Sequence, residues 1–323
     1  MVDALPVRGQ APGPPYRGLV PEPERWIDLC DPDDATLDAA LPTPVHETAL
    51  ARLRAPARHD DEPRPRLEAH GNYVFGVLVL PTIDENAEAT VHEVDIVATL
   101  DRLVTVRKTP PGAVALSFDG ARTGAVASGA SPGMCLYHLF DEVAEHFLTL
   151  VDGFDDGIDE LEDNVGEWSA GEVRGHISRL RHEILEVRRV LSPSRDAARA
   201  VLDDRVELDG DTTLFPRDVE LHFADAYDKL LRATDGLDLA RDLLAGVRDF
   251  HQAQVANDQN EVMKRLTVVA SVLLLPTFIV GLYGQNLKGA PEFRWANGYL
   301  WSWCVIIVTT VAQLVYFRRK QWI

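Results

Sequence analysis

The spacing of hydrophobic positions changes character along the chain. Between Trp26 and about Ser117 they fall in short, mixed runs. Trp26–Leu29, Tyr73–Leu80, Glu93–Thr99 and Leu103–Val106 read as strands, and Asp34–Leu41 and Thr48–Leu53 as helices between the first of them. Pro, Asp and Arg crowd Ala55–Pro65, which marks a loop. From Cys135 the spacing becomes three-and-four. Leu136, Leu139, Phe140, Val143, Phe147, Leu150, Val151, Phe154, Ile158 and Leu161 make one face of a helix about seven turns long. A second helix is predicted over Ala170–Leu202, with Ile177, Leu180, Ile184, Val187 and Leu191 on one face. Pro193 is expected to kink or interrupt it. A third begins after Pro216, a first-turn proline, and meets no breaker until Pro276; Gly236 and Gly246 only weaken it. Continued to residue 284 it would be about 100 Å long at 1.5 Å per residue. A helix of that length needs a bundle or an oligomer to pack against.

Two runs near the C-terminus, Leu266–Leu287 and Trp295–Phe317, carry almost no charge and are long enough for a bilayer core about 30 Å thick. Lys264-Arg265 and Arg318-Arg319-Lys320 bracket the pair, and Trp295, Tyr299, Trp301, Trp303, Tyr316 and Trp322 sit near the ends, where amphipathic rings prefer the interface. The pattern predicts two transmembrane helices. Five basic residues flank their outer ends against two in the loop between them, so both chain ends are expected in the cytoplasm of a cell (inner) membrane protein. Met1–Arg25 holds six prolines and three glycines, lacks the apolar stretch of a signal peptide, and reads as a disordered tail.

The predicted organisation is α+β: a tail over 1–25, a cytoplasmic α/β domain over 26–133, a helical pair over 134–215, and a stalk over 216–265. A first span follows over 266–286, then an external loop over 287–298, a second span over 299–317 and a basic tail over 318–323.

Charge follows this division. The 323 residues carry 32 Lys+Arg against 51 Asp+Glu, a net of −19, with mean hydropathy −0.10. From Val262 onward seven basic residues face one acid, a net of +6, so residues 1–261 carry −25. The acidic bulk excludes nucleic acid as a partner, because phosphate binding needs a basic face. Three cysteines, Cys30, Cys135 and Cys304, show no pairing pattern, which excludes a disulfide-stapled domain.

One register on the long helix collects its polar and small residues. Asn260, Met263, Thr267, Ala270, Leu274, Thr277, Gly281 and Gly284 follow a heptad frame through a stretch otherwise rich in Val, Ile and Leu. Small and hydroxyl residues permit close helix approach, and they also suit the wall of a water-filled path. By sevens backward from Met263 come Ala256, Asp249, Asp242, Asp235 and Asp228. Mild supercoiling keeps such a stripe on one side of a helix. Symmetric copies would bring like carboxylates together, a repulsion that a hard divalent cation relieves. Two spans cannot enclose an aqueous path by themselves, so a channel built from this chain is an oligomer with one helix per subunit at the axis.

Enzyme motifs are weak. In His46-Glu47, His92-Glu93 and His182-Glu183 the place of a metalloprotease's second His is taken by Leu50, Ile96 and Glu186. Gly129-Ala-Ser-Pro-Gly133 matches Gly-x-Ser-x-Gly in form only, since Pro132 has no N–H for an oxyanion hole. An enzyme is not expected. The competing reading is a membrane-anchored acidic protein that senses metal or acts as a scaffold without conduction. A mere anchor has no use for Asn260, Thr267, Thr277 and Asn286 in a lipid-facing helix.

The first span ends Phe278-Ile-Val-Gly-Leu-Tyr-Gly-Gln-Asn286, followed by Leu-Lys-Gly-Ala-Pro-Glu-Phe-Arg-Trp295. This resembles the CorA-type divalent metal-ion (magnesium/cobalt/zinc) transporter family, whose signature is Tyr-Gly-Met-Asn and then Met-Pro-Glu in the loop. Asn260-Glu-Val-Met-Lys264, Leu266-Thr267, Thr277-Phe-Ile279, Trp26-Ile-Asp-Leu29 and the basic end with Trp322 agree with it. The resemblance implies a funnel-shaped homopentamer that passes Mg²⁺, or Co²⁺, Ni²⁺ or Zn²⁺, as cargo, with no resident cofactor. It implies a selectivity filter at Tyr283, Gly284, Gln285 and Asn286, with Glu292 in the external loop. Asn260, Met263, Leu266, Thr267, Leu274, Thr277 and Gly281 would line the pore, Met263 and Leu266 forming a hydrophobic constriction. Asp225 matches the family's regulatory stalk acid, to which the spacing adds Asp228, Asp235, Asp242 and Asp249 as regulatory metal positions. The chain departs from the family in Gln285 and Ala290, each in place of Met, in Pro276 directly before Thr277, and in lacking the Glu–Asp pair expected before Arg64-Pro65, where only Asp60, Asp61 and Glu62 lie nearby.

Overall fold

A computed structural model describes residues 25–57, 64–83, 89–127, 130–285, 295 and 297–322. The N-terminal tail, the acids Asp60, Asp61 and Glu62, and the residues Asn286, Ala290 and Glu292 lie outside the described residues. The chain forms two compact units. One combines the chain up to Glu160 with Ser178–Asp242, and the other combines Leu161–Ile177 with Leu243–Ile323.

The first unit is built on five strands: β1 Trp26–Cys30, β2 Arg66–Ala69, β3 Val74–Ile83, β4 Ala89–Ala98 and β5 Leu103–Lys108, in the order β1-β5-β4-β3-β2. β1 runs parallel to β5 and every other pair is antiparallel. Val74 to Pro81 are all buried, so both faces of the sheet are covered; this is why β3 reads as a continuous apolar run rather than an alternating one. β2 escapes the sequence pattern because it has four residues and alternates charge with Leu and Ala. Gly76 on β3 sits close against its neighbours: a Cβ would stand 2.5 Å from a Leu67 methyl of β2 and 3.3 Å from the Arg66 carbonyl oxygen.

Helices α1 Asp34–Ala40 and α2 Glu47–Arg54 follow β1. Their N-caps are Asp33, which accepts from the Thr36 N–H at 2.8 Å, and His46, whose Nδ1 accepts from the Thr48 N–H. The ladder puts Val77, Glu93, Asp95, Val106 and Lys108 on one face, and α2 reaches it where the Lys108 ammonium donates to the Arg52 carbonyl at 2.8 Å. A short helix not foreseen from the sequence, α3 Asp119–Ala127, docks its first turn on the Glu142 carboxylate, which accepts from the Ala121 N–H.

Three long helices follow: α4 Pro132–Asn164, α5 Ala170–Leu202 and α6 Arg217–Gly284, and then α7 Gly298–Arg319. α5 runs through Pro193 without interruption. The packing of buried Val190, Leu191, Ser194 and Ala198 holds it, and the Ser194 hydroxyl donates to the Val190 carbonyl at 2.8 Å. Within the first unit α4 and α6 approach closely: a Cβ on Gly236 would stand 2.8 Å from Val151, and the rings of Phe140 and Phe223 are 5.4 Å apart. The C-terminal half of α6 and the whole of α7 are each long and apolar enough to cross a membrane.

Candidate cation path and acidic cleft

On α6 the heptad frame separates two faces. Val219, Phe223, Ala226, Leu230, Ala233, Leu237 and Ala240 are buried against the rest of the first unit. Leu221, Asp225, Asp228, Arg232, Asp235, Leu239 and Asp242, two residues out of phase, are all exposed. At 100° per residue a two-residue offset points to the opposite side. Further along, Asp249, Asn260, Met263, Thr267, Leu274, Thr277, Gly281 and Gly284 of the same frame are exposed as well, Leu274 to 70%, and so is Leu266 beside the frame. A single chain thus leaves every candidate position of the stripe uncovered. Leu221 and Leu239 are 56% exposed within the acidic part, where an isolated soluble helix would carry polar residues.

Thr267 and Thr277 donate their hydroxyls to the carbonyls of Met263 and Leu273, at 2.8 and 2.6 Å. Hydroxyls satisfied on their own helix still offer lone pairs to water. Tyr283, Gly284 and Gln285 are described at the end of α6. In the same unit the Gln313 amide of α7 donates to the Ser271 carbonyl of α6 at 3.4 Å.

Beside Asp225 and Asp228 lies a cleft of about 630 Å³ lined also by Tyr137, Asp141, Lys229 and Arg232. It holds a cation of its own. Lys229 Nζ is 2.6 Å from Asp141 Oδ1 and 2.6 Å from Glu145 Oε1. Burial works against the ammonium, but the hydrogen bonds to the two carboxylates outweigh it and hold Lys229 above the usual lysine range. Asp242 and Asp249 pair with their neighbours Arg241 and Arg248 at 3.3 and 3.0 Å. No group of three or more His, Cys, Asp or Glu among the described residues is arranged to hold a metal ion, so a regulatory site at these acids would need a second copy of the chain.

Residues of three of the four motifs that mimic enzymes have structural roles, His46 as the N-cap of α2 among them. Ser131 precedes α4, and its hydroxyl accepts from the Met134 N–H at 3.3 Å, as an N-cap does. Glu93 lies on β4 in a buried ionic cluster that the sequence reading missed. Lys108 Nζ donates to Glu93 Oε1 at 2.7 Å and stands 2.6 Å from Asp95 Oδ2, and Arg52 donates to Glu93 at 3.1 Å. Neither oxygen of Asp95 receives a well-directed hydrogen bond, and its burial is complete. Desolvation, opposed by Lys108, pushes the Asp95 carboxyl up to about 7. Charged residues alternating on a strand look like an exposed face; only cross-strand register shows that these face one another.

Comparison with known proteins agrees with this architecture. A sequence model described as CorA-like Mg²⁺ transporter protein matches residues 24–319. The chain is 30% identical over 266 residues to the cobalt/magnesium transport protein CorA of Thermotoga maritima, covering 80% of this chain and 73% of that one. It is 28% identical over 300 residues to the putative metal ion transporter YfjQ of Bacillus subtilis, covering 92% and 89%. Among solved structures, the CorA magnesium transporter of Methanocaldococcus jannaschii has the same fold, with a TM-score of 0.75 over 92% of this chain and 91% of that one at 21% identity. The full-length CmaX protein gives a TM-score of 0.68 over 94% and 90%, also at 21% identity.

Proposed function

The chain belongs to the CorA-like Mg²⁺ transporter family, and on that premise we propose how this sequence moves divalent cations along α6. It is a membrane transporter with two C-terminal spans and not an enzyme. The observation that carries the proposed path is the uncovered heptad frame of α6, acidic and apolar in its first part, small and hydroxyl-bearing in its last. Two spans leave that frame facing lipid unless copies of the chain close around it, so the working unit is a homo-oligomer, and a homopentamer by kinship.

In this reading Asn286, with Tyr283, Gly284 and Gln285, forms the outer ring, and Glu292 lies in the loop beside it. Mg²⁺ dehydrates reluctantly, so neutral amide and carbonyl oxygens that accept from its water shell suit it better than a cage of direct ligands. The hydrated ion then passes Gly281, Thr277, Leu274 and Thr267, and the apolar ring of Leu266 and Met263 is the constriction that can dewet and close. Asn260 follows on the cytoplasmic side. Below it the exposed aspartates 249, 242, 235 and 228 draw cations to the inner mouth, and with Asp225 they offer oxygen ligands between subunits when internal metal is high. The membrane potential supplies about 4.6 kcal/mol per 100 mV for a divalent ion, enough to drive uptake without a nucleotide. Gln285 and Ala290, in place of methionines, add a polar group and remove bulk near the ring, so Co²⁺, Ni²⁺ and Zn²⁺ belong in the test beside Mg²⁺.

The test is flux into liposomes carrying the full chain, with a panel of those four ions and an inside-negative potential. Flux of at least one, abolished in Asn286→Ala, is the expected result. No flux of any ion in a correctly assembled oligomer would leave only an anchored scaffold.

A further inference from the structure

At one end of the second unit the two apolar helices meet a basic cluster that nothing in the transport path uses. Arg265 pairs with Glu261, one helical turn away. The side chains of Lys264, Arg318, Arg319 and Lys320 form no ion pair among the described residues. A cleft of about 560 Å³ opens there between α6 and the end of α7, lined by Lys264, Asn257, Gln321 and Trp322, by the Glu261–Arg265 pair, and by Asn260 of the proposed cation path.

The C-terminus is shaped to complete this cleft. Gln321 takes a left-handed backbone conformation, φ 57°, and its N–H donates to the Arg318 carbonyl at 3.2 Å. The turn brings the Trp322 N–H back to the Phe317 carbonyl at 3.0 Å and stacks its indole on the Phe317 ring, 5.8 Å between centroids. A non-glycine residue held at positive φ is uncommon, and here it folds an indole back to the level of the last apolar residue of α7 instead of letting the chain run on into water.

We propose that this cleft binds the phosphate headgroup of an anionic phospholipid of the cytoplasmic leaflet. Depth and chemistry both favour it. Lys264 precedes Leu266, the start of the uncharged run, by two residues, about 3 Å along a helix. The headgroup layer is roughly 5–8 Å thick on each side, so the ammonium lies within it. An unpaired ammonium, three amides able to donate and an indole at the interface form a site for a phosphate with a glyceryl body, and cytoplasmic lipid headgroups are present there at far higher local concentration than soluble phosphates. The inference rests on the membrane placement of α6 and α7; the cleft shares Asn260 with the proposed cation path, but its test reads lipid affinity and not ion flux, so failure of one is distinguishable from failure of the other.

The experiment titrates the full-length, detergent-solubilised oligomer with phosphatidylglycerol and follows the melting temperature, with phosphatidylcholine and glycerol 3-phosphate in parallel. Phosphatidylglycerol alone should raise the melting temperature. Lys264→Gln should weaken its apparent affinity about fivefold, the effect of one lysine near an anionic surface. Lys264→Arg should retain it, and Asn257→Leu should weaken it with Lys264 intact. An equal rise with phosphatidylcholine, or an unchanged affinity in Lys264→Gln, would overturn the proposal. A rise with glycerol 3-phosphate alone would assign the cleft to a soluble anion. Dissociation of the Lys264→Gln oligomer without change in lipid affinity would assign it to a contact between copies.

Discussion

The ammonium of Lys229 on α6 lies 2.6 Å from the carboxylate of Asp141 on α4, beside the two aspartates proposed to meet regulatory metal. The first unit therefore carries a fixed cation where divalent ions would otherwise be drawn. The pair is part-buried, and removing its cation leaves Asp141 and Glu145, one turn apart on α4, as like charges with no partner from α6. Lys229→Met should destabilise the protein by about 1–2 kcal/mol. Magnesium should recover more of the melting temperature in the variant than it adds to the wild type, because the unscreened carboxylates gain a ligand. Equal magnesium effects in both proteins would mean that Lys229 does not compete for the cleft.

Asp95 makes stability depend on pH in the direction opposite to that of a carboxylate held ionised by its partners. Its folded pKa, about 7, lies above the unfolded value of 3.8. Between these values the folded state binds one more proton than the unfolded chain, so stability falls as pH rises through that window. The groups facing it are Glu93 on its own strand, Lys108 on β5 and Arg52 on α2. Asp95→Asn should flatten the decline in melting temperature between pH 5 and about 8 relative to the wild type, measured on the full chain. Parallel profiles for the two proteins would show that the carboxyl stays ionised throughout.

Gly133 in the first turn of α4 has no room for a side chain. A Cβ there would stand 2.1 Å from the Leu214 carbonyl oxygen and 3.6 Å from Val219 at the start of α6. Backbone, not a mobile side chain, is the obstacle, so α4 must shift. Gly133→Ala should cost about 2–3 kcal/mol, in the range of an overpacked core, whereas Gly124→Ala, in open space on α3, should be neutral or stabilising. Thermal melting of the two variants side by side reads the contrast.

Much of the architecture was legible because long-range order in this chain is written locally. Three-and-four spacing marked α4 and α5, the lack of a breaker between Pro216 and Pro276 marked α6, and two uncharged runs framed by Lys264-Arg265 and Arg318-Arg319-Lys320 marked the spans, since lipid tolerates few other patterns. The heptad frame of α6 was readable for the same reason: helical register depends only on residue number. Pro193 does not interrupt α5, because a local breaker is outweighed by the burial of its neighbours. β2 and α3 were missed because four residues, or nine rich in Gly and Ala, carry too little pattern.

By itself, then, the sequence determined the long helices and the longer strands, the two apolar spans and how charge divides between −25 and +6, all properties summed along the chain. Only tertiary structure decided which charges meet. Lys229 with Asp141 is 88 residues apart, Lys108 with Glu93 spans a hairpin, and Trp322 returns to α7 through the backbone turn at Gln321. Spacing cannot encode such pairs, because they depend on which strands are adjacent and how closely two helices approach. The exposed stripe of α6 belongs to both: its register is a property of the sequence, and its being left uncovered is a property of the fold.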